Sequence, residues 1–173
     1  MRLPVMTTTV VLAVLAACSP AFDWREFQPE GSGLVASFPC KPDRHARSID
    51  LAVQRVRMEL LVCEAGEARF ALGYFDVAEP ARVSQALIEL RRLAAGNLGA
   101  KGDAALPAAV PGMTPNDHAL RLRLEGRQPD GSVLQEQAVL FTKGLRIYQA
   151  TVLGRQVSPD AADTFFAALR LPG

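Results

Sequence analysis

From Arg55 to Val62 the chain places Val56, Met58, Leu60 and Val62 at alternate positions, with Arg55, Arg57 and Glu59 between them. Successive side chains of a strand point to opposite faces, so this run needs a sheet with one dry and one wet face. Antiparallel sheets provide that arrangement. The pattern recurs downstream, where His118, Leu120, Leu122 and Leu124 alternate with Ala119, Arg121, Arg123 and Glu125. Two such runs, far apart in sequence, commit most of the chain to one antiparallel sheet.

The remaining segments fit around that sheet. Leu34 to Phe38 reads as a first strand, stopped by Pro39 and Pro42. Glu64-Ala65-Gly66-Glu67 reads as a hairpin turn into Ala68–Val77. Pro80 at a first helical position opens a helix whose buried stripe is Val83, Leu87, Leu90 and Ala94, ending at Gly96 or Gly99. Gly99 to Asp117 is rich in Gly, Ala and Pro and is expected to be a long loop. Pro129-Asp130-Gly131-Ser132 forms a turn, and Val133–Phe141 pairs with Leu145–Leu153 through Lys143-Gly144. Ser158, followed by Pro159, caps a last helix held down by Phe165, Phe166 and Leu169. Strands, helix, strands, helix with hairpin links predict a single α+β domain: an antiparallel sheet of six to seven strands with two main helices.

The beginning of the chain has the layout of an export signal, with Arg2 followed by the apolar run Val10–Ala17. That run is well short of the roughly 20 apolar residues a spanning helix needs. Leu15-Ala16-Ala17-Cys18 resembles a bacterial lipobox. The resemblance implies cleavage before Cys18 and acylation of that residue. Ser19 in the next position implies sorting to the periplasmic face of the outer membrane of a Gram-negative bacterium. The alternative is an ordinary secreted protein cut nearby, for instance after Ser19. The implied division is residues 1–17 as signal, 18–30 as lipidated cysteine and tether, and 31–173 as the domain. Two or more acyl chains suffice for stable anchoring. From Ser19 to Phe22 an extended tether reaches at most about 15 Å, so the domain is expected close to the headgroups.

Three cysteines are an odd number, and acylation of Cys18 leaves Cys40 and Cys63 as a pair. In an oxidising envelope that pair is expected to form a disulfide. The alternatives are a metal pair or a catalytic thiol, but the two lack the close spacing of zinc ligands. A simple hairpin of Leu34–Phe38 with Val53–Cys63 would put the two cysteines at opposite ends. A meander of Leu34–Phe38, Ala46–Asp50 and Gln54–Cys63, turning at Ala52-Val53, brings them together, and it is the arrangement expected here.

Ser37-Phe38-Pro39 with Lys41-Pro42 is similar to the end of the first strand in the PsbP/Mog1-like family. Gly144-Leu145-Arg146-Ile147-Tyr148 is similar to a late strand of that family, as is the closing helix with Phe165 and Phe166. The resemblance implies the fold and a binding or assembly role, and carries over no functional residue.

Lys and Arg number 19 against 18 Asp and Glu, and removal of Arg2 with the signal makes the two equal. Such a neutral chain gives no electrostatic case for bulk nucleic-acid binding. The sequence contains no P-loop, G-x-G-x-x-G or G-x-S-x-G, so no cofactor and no catalytic set is expected. His45 and His118 lie far apart with no paired carboxylate nearby, so no metal site is expected. Asp76 and Glu79 read as charges serving a helix start.

Two surface features remain. Lys41, Arg44, His45 and Arg47, followed by Arg55 and Arg57, form either a basic contact for headgroups or a partner, or a solvated face diluted by Asp43, Asp50 and Glu59. Phe22, Trp24 and Phe27 either dock the tether on the sheet edge or touch lipid or a partner. The functional expectation is a membrane-anchored, non-enzymatic binding or assembly module for an envelope protein. A carrier with an apolar pocket is the alternative, and a hydrolase using the Gly99–Asp117 loop and His118 is a third.

Overall fold

Alternating residues dictate the strands, and continuous apolar runs mark where the sheet is covered twice. The computed structural model describes residues 22–51 and 54–172. Met1 to Ala17 and Cys18 lie outside the described residues, as do the turn residues 52–53.

A small sheet pairs β1 (Arg25–Phe27) with β2 (Ala36–Phe38). The main sheet comprises β3 (Asp43–Leu51), β4 (Gln54–Ala65), β5 (Ala68–Asp76), β6 (Asp103–Pro107), β7 (Leu120–Arg127), β8 (Val133–Lys143) and β9 (Arg146–Gly154). Its order is β3-β4-β5-β9-β8-β7-β6, with every neighbour antiparallel. Two helices complete the described residues, α1 (Ala81–Leu98) and α2 (Pro159–Ala167). The chain is a single-domain α+β fold, as the alternating runs imply.

The helices lie on opposite faces of the sheet, which makes three layers. On one face α2 supplies Ala161, Ala162, Phe165 and Phe166, packed with Phe70, Leu72, Phe141, Tyr148, Ala150 and Val152 of the strands. Phe38 of β2 packs there too, with ring centroids 5.2 Å from Phe165. Tyr148 lends its hydroxyl to the Ser32 carbonyl at 2.7 Å, and Tyr74 donates to the Glu30 carbonyl at 3.1 Å, so the turn before β2 is pinned to this face. On the other face α1 presents Val83, Ala86, Leu87 and Leu90 to Leu51, Val56, Met58, Phe75, Leu140 and Ile147. Ser158 accepts from the Ala161 N–H and caps α2 with Pro159 at its start.

Three expectations are corrected. Leu34–Phe38 does not join the meander; only Ala36–Phe38 is a strand, and it pairs with β1, while Val35 bridges to Arg170. Its apolar residues are all needed inside the core, which leaves no wet face to place at a sheet position. The other two strands do form the expected hairpin, with Leu51 opposite Gln54. The Gly99–Asp117 stretch contains β6, which closes one edge of the sheet. Its short Asp-Ala-Ala-Leu-Pro sequence has no alternation to reveal it. Finally, Pro80 is the N-cap of α1, and the helix proper begins at Ala81 and ends at Gly99 in the left-handed region.

Candidate functional site

The α1 face is only half covered, and the cause lies in how α1 is fastened. Its N-terminal half packs over Leu122 of β7, Ala138 and Leu140 of β8 and Ile147 of β9, and reaches the near ends of β3, β4 and β5 at Leu51, Val56 and Phe75. Its C-terminal half leans toward the opposite edge, where Ala94 and Leu98 pack on Leu124 of β7. Gly126 permits this close approach, because a Cβ there would come within 1.8 Å of the Leu98 carbonyl oxygen. Arg91 then clamps the helix to the start of β6, with Nε and Nη2 at 2.5 and 2.6 Å from the Asp103 carboxylate. The Arg91 guanidinium holds the Asp103 carboxyl below the usual carboxylate range. A helix fixed in this way leaves the upper halves of β3, β4, β5 and β9 bare.

The bare area is a cleft of about 970 Å³. Its floor is made of small and medium side chains from adjacent strands: Leu60 opposite Gly73, Val62 opposite Ala71, and Ala71 opposite Thr151. Leu90 and Leu93 of α1 form one wall. Met58 leans over Gly73, whose missing Cβ would sit 2.9 Å from the Met58 sulfur. His45 and Arg47 of β3 stand on the rim, and Arg69 with Glu64 forms an ion pair there at 2.6 Å. A volume of this size suits a small organic ligand.

Glu136 of β8 opens into this cleft. Only 8% of the residue is exposed; its carboxylate makes no hydrogen bond or ion pair among the described residues, and its oxygens open into the cleft rather than being shut off from solvent. Its cross-strand neighbours on this face are Leu124 and Leu153. Burial alone pushes the Glu136 carboxyl up to about 7. Buried charges are normally paired, because transfer of an ionised carboxylate out of water costs several kcal/mol. An acid left without a partner at the wall of a cleft is a marker of function rather than of packing. Sequence reasoning missed it. The signal is in β8 itself: Ala138 to Phe141 is apolar without interruption, which denotes burial on both faces, and Glu136 continues the row of Ala138 and Leu140.

The residues singled out from sequence are dispersed. Cys40 and Cys63 are bonded, with their Cα atoms 6.0 Å apart, and the bridge ties the β2–β3 link to β4. Trp24 packs edge-on against Phe70 at 5.9 Å, with Phe22 and Phe27 also lying on the α2-side core, so the aromatic cluster docks the N-terminal segment. That segment includes β1, inside the stretch expected to be tether. The basic run does not form one patch. Alternation along β3 sends Arg44 to the α2 side, where it meets Glu59 at 3.4 Å, while His45 and Arg47 reach the cleft rim. Arg57 also meets Glu59, Arg55 meets Asp50, and Lys41 stands exposed in the link before β3.

Asp76 is bound through both oxygens by Arg146 at 2.7 Å and Glu79 by Arg82 at 2.8 Å, so these carboxylates serve ion pairs. His118 lines a small depression with Ser84, Asn116 and Asp117. The Ser84 oxygen there accepts from the Asn116 amide, and the His118 ring bonds to neither Ser84 nor Asp117. A second depression, of about 660 Å³, is lined by residues of the Pro107–Ala119 segment, most of them proline and alanine. Among the described residues no group of three or more His, Cys, Asp or Glu side chains converges on a metal position. No described helix is long and apolar enough to cross a membrane.

No protein-family model matches the chain, and no curated protein is similar enough in sequence to be matched to it.

Proposed function

We propose that the protein is an envelope lipoprotein, held at the membrane through Cys18, whose domain is a non-enzymatic binding module that receives its ligand in the α1-face cleft. The observation that carries the reading is the half-covered sheet face: α1 is clamped aside by Arg91 and Asp103, and the exposed floor ends at an unpartnered buried acid. A face left open by a fixed helix is a preformed site. The address rests on Leu15-Ala16-Ala17-Cys18, and the resemblance of short segments to the PsbP/Mog1-like family supports a binding role.

Two measurements test the two halves. Metabolic labelling with an alkyne palmitate should mark the wild type and leave Cys18→Ser unlabelled; equal labelling of both removes the anchor. Native mass spectrometry of protein extracted from its own membrane should show a bound small molecule, absent from Ala71→Trp, which fills the floor. A bare wild type would remove the cleft from the reading.

A second reading, attachment to a protein partner in the envelope, is favoured by β6. This edge strand pairs only with β7, and its Leu106 is 67% exposed. An unpaired edge is a template for strand addition. A photo-crosslinking residue at position 106 should capture a discrete envelope protein, and the same residue at position 71 should not.

A further inference from the structure

The cleft differs from an ordinary apolar pocket in the chemistry at its end. Its lining includes Leu60, Ala71 and Leu153 of the strands and Leu90 and Leu93 of α1, which offer hydrocarbon to the body of an occupant. At β8 the lining ends in Glu136, a residue more than nine-tenths buried whose carboxylate opens into the cleft without a partner among the described residues. Two neutral amides, Gln149 and Asn97, stand in the same cleft. Gln149 donates its amide to Thr151 Oγ1 at 3.4 Å, and the Gln149 side-chain oxygen accepts from no described residue. Asn97 of α1 makes no side-chain hydrogen bond among the described residues and lines the same space. A carboxylate that opens into a cleft without a partner asks for a donor, and a positively charged donor matches it best.

Resting on the reading of the cleft as a binding site, we propose that its ligand is an amphipathic amine, its ammonium group seated on the Glu136 carboxylate and its hydrocarbon body lying over Ala71 and Gly73 toward the rim. Pairing recovers what the isolated carboxylate loses on burial, because opposite charges attract strongly where water is excluded. A fatty acid would bring a second negative charge against Glu136, and a neutral alcohol would donate one hydrogen bond and leave the charge uncompensated. The three classes are therefore separable.

The groups that face Glu136 are few. β7 and β9 contribute Leu124 and Leu153, and α1 contributes Ala94 and Leu98 with Asn97 at its exposed end. The nearest charges lining the cleft are the Arg69–Glu64 pair, and Asp43, His45 and Arg47 stand farther off on β3. A carboxyl that ionises near pH 7 makes amine binding strengthen from pH 6 to pH 8.

The experiment uses the full chain without its signal, with dansylcadaverine as the fluorescent amine and octylamine, octanol and octanoate as competitors. Dansylcadaverine should bind, and octylamine should displace it at least tenfold more effectively than octanol or octanoate. Glu136→Gln, which keeps the side-chain shape, should weaken dansylcadaverine at least tenfold while remaining folded by circular dichroism. The wild type should bind about tenfold more tightly at pH 8 than at pH 6, and the variant should lose that dependence. No binding of either amine, equal displacement by octanol or octanoate, or a pH dependence that persists in Glu136→Gln would each overturn the proposal. If amines fail while native mass spectrometry still finds a molecule that Ala71→Trp excludes, the cleft stands as a binding site and the amine does not.

Discussion

The two faces of β9 are made by neighbouring residues and behave as different materials. Tyr148, Ala150 and Val152 point to the α2 side and are buried, while Gln149, Thr151 and Leu153 point to the α1 side and are half-exposed. On the α2 side the rings of Phe38, Phe70 and Phe165 stack edge to face, and the N-terminal segment and a disulfide close over them. On the α1 side a helix of twice the length leaves a cleft, because it is fastened at one edge. One face holds the fold together, and the other is kept open at a cost. The lesson is that helix length does not set coverage; the position of the clamp does.

The contrast is broken most easily on the filled face. Phe165→Ala removes a fully buried ring that touches Phe38, Phe70 and Phe166, and should cost about 3–5 kcal/mol in urea unfolding. Leu60→Ala in the cleft floor should cost well under half of that. Comparable losses would mean that the two faces share the stability evenly.

The disulfide belongs to the same face, since Cys63 sits in the α2-side core. Replacing Cys40 and Cys63 together by Ala should remove about 3 kcal/mol on the chain-entropy model. Binding in the cleft should survive in the folded variant. Loss of binding at full folding would show that the faces are coupled.

A sharper probe adds the same side chain to each side. Ala150→Leu overfills a site with no exposure and should cost about 1–3 kcal/mol. Ala71→Leu enters open space on the floor and should change stability by less than about 0.5 kcal/mol, while blocking any occupant. Equal costs would mean that the cleft closes in solution.

Part of each face was legible in advance. The α1 stripe of Val83, Leu87, Leu90 and Ala94 is buried as its spacing implies, and Ser158 caps α2 as its neighbours imply. Those signals are local, set by periodicity and by cap chemistry. The meander was legible in its second and third strands, because alternation identifies them, and illegible in its first, because β2 is apolar at every position except Ser37. The placement of the helices on opposite faces was hidden for a different reason. It depends on whether strands are buried once or twice, which only the uninterrupted run Ala138–Phe141 hints at. The clamp of Arg91 on Asp103 and the isolation of Glu136 are tertiary facts, since each depends on partners brought from distant parts of the chain.

The cost of keeping the cleft open is concentrated in Glu136. Its folded carboxyl titrates near 7, above the ordinary glutamate value of about 4.3. Between those values the folded state holds a proton that the unfolded state has released, so stability falls as pH rises through that window. The carboxyls of Asp76 and Asp103 are shifted the other way by their arginines, and their contributions are lost only in acid, below that window. Urea unfolding of the wild type and Glu136→Gln at pH 5 and pH 8 therefore reads Glu136 almost alone. The wild type should lose about 2–3 kcal/mol relative to the variant between the two pH values. If the two proteins keep a constant difference across that range, Glu136 is not a buried, unpaired acid, and the claim that this face is held open for a ligand is contradicted.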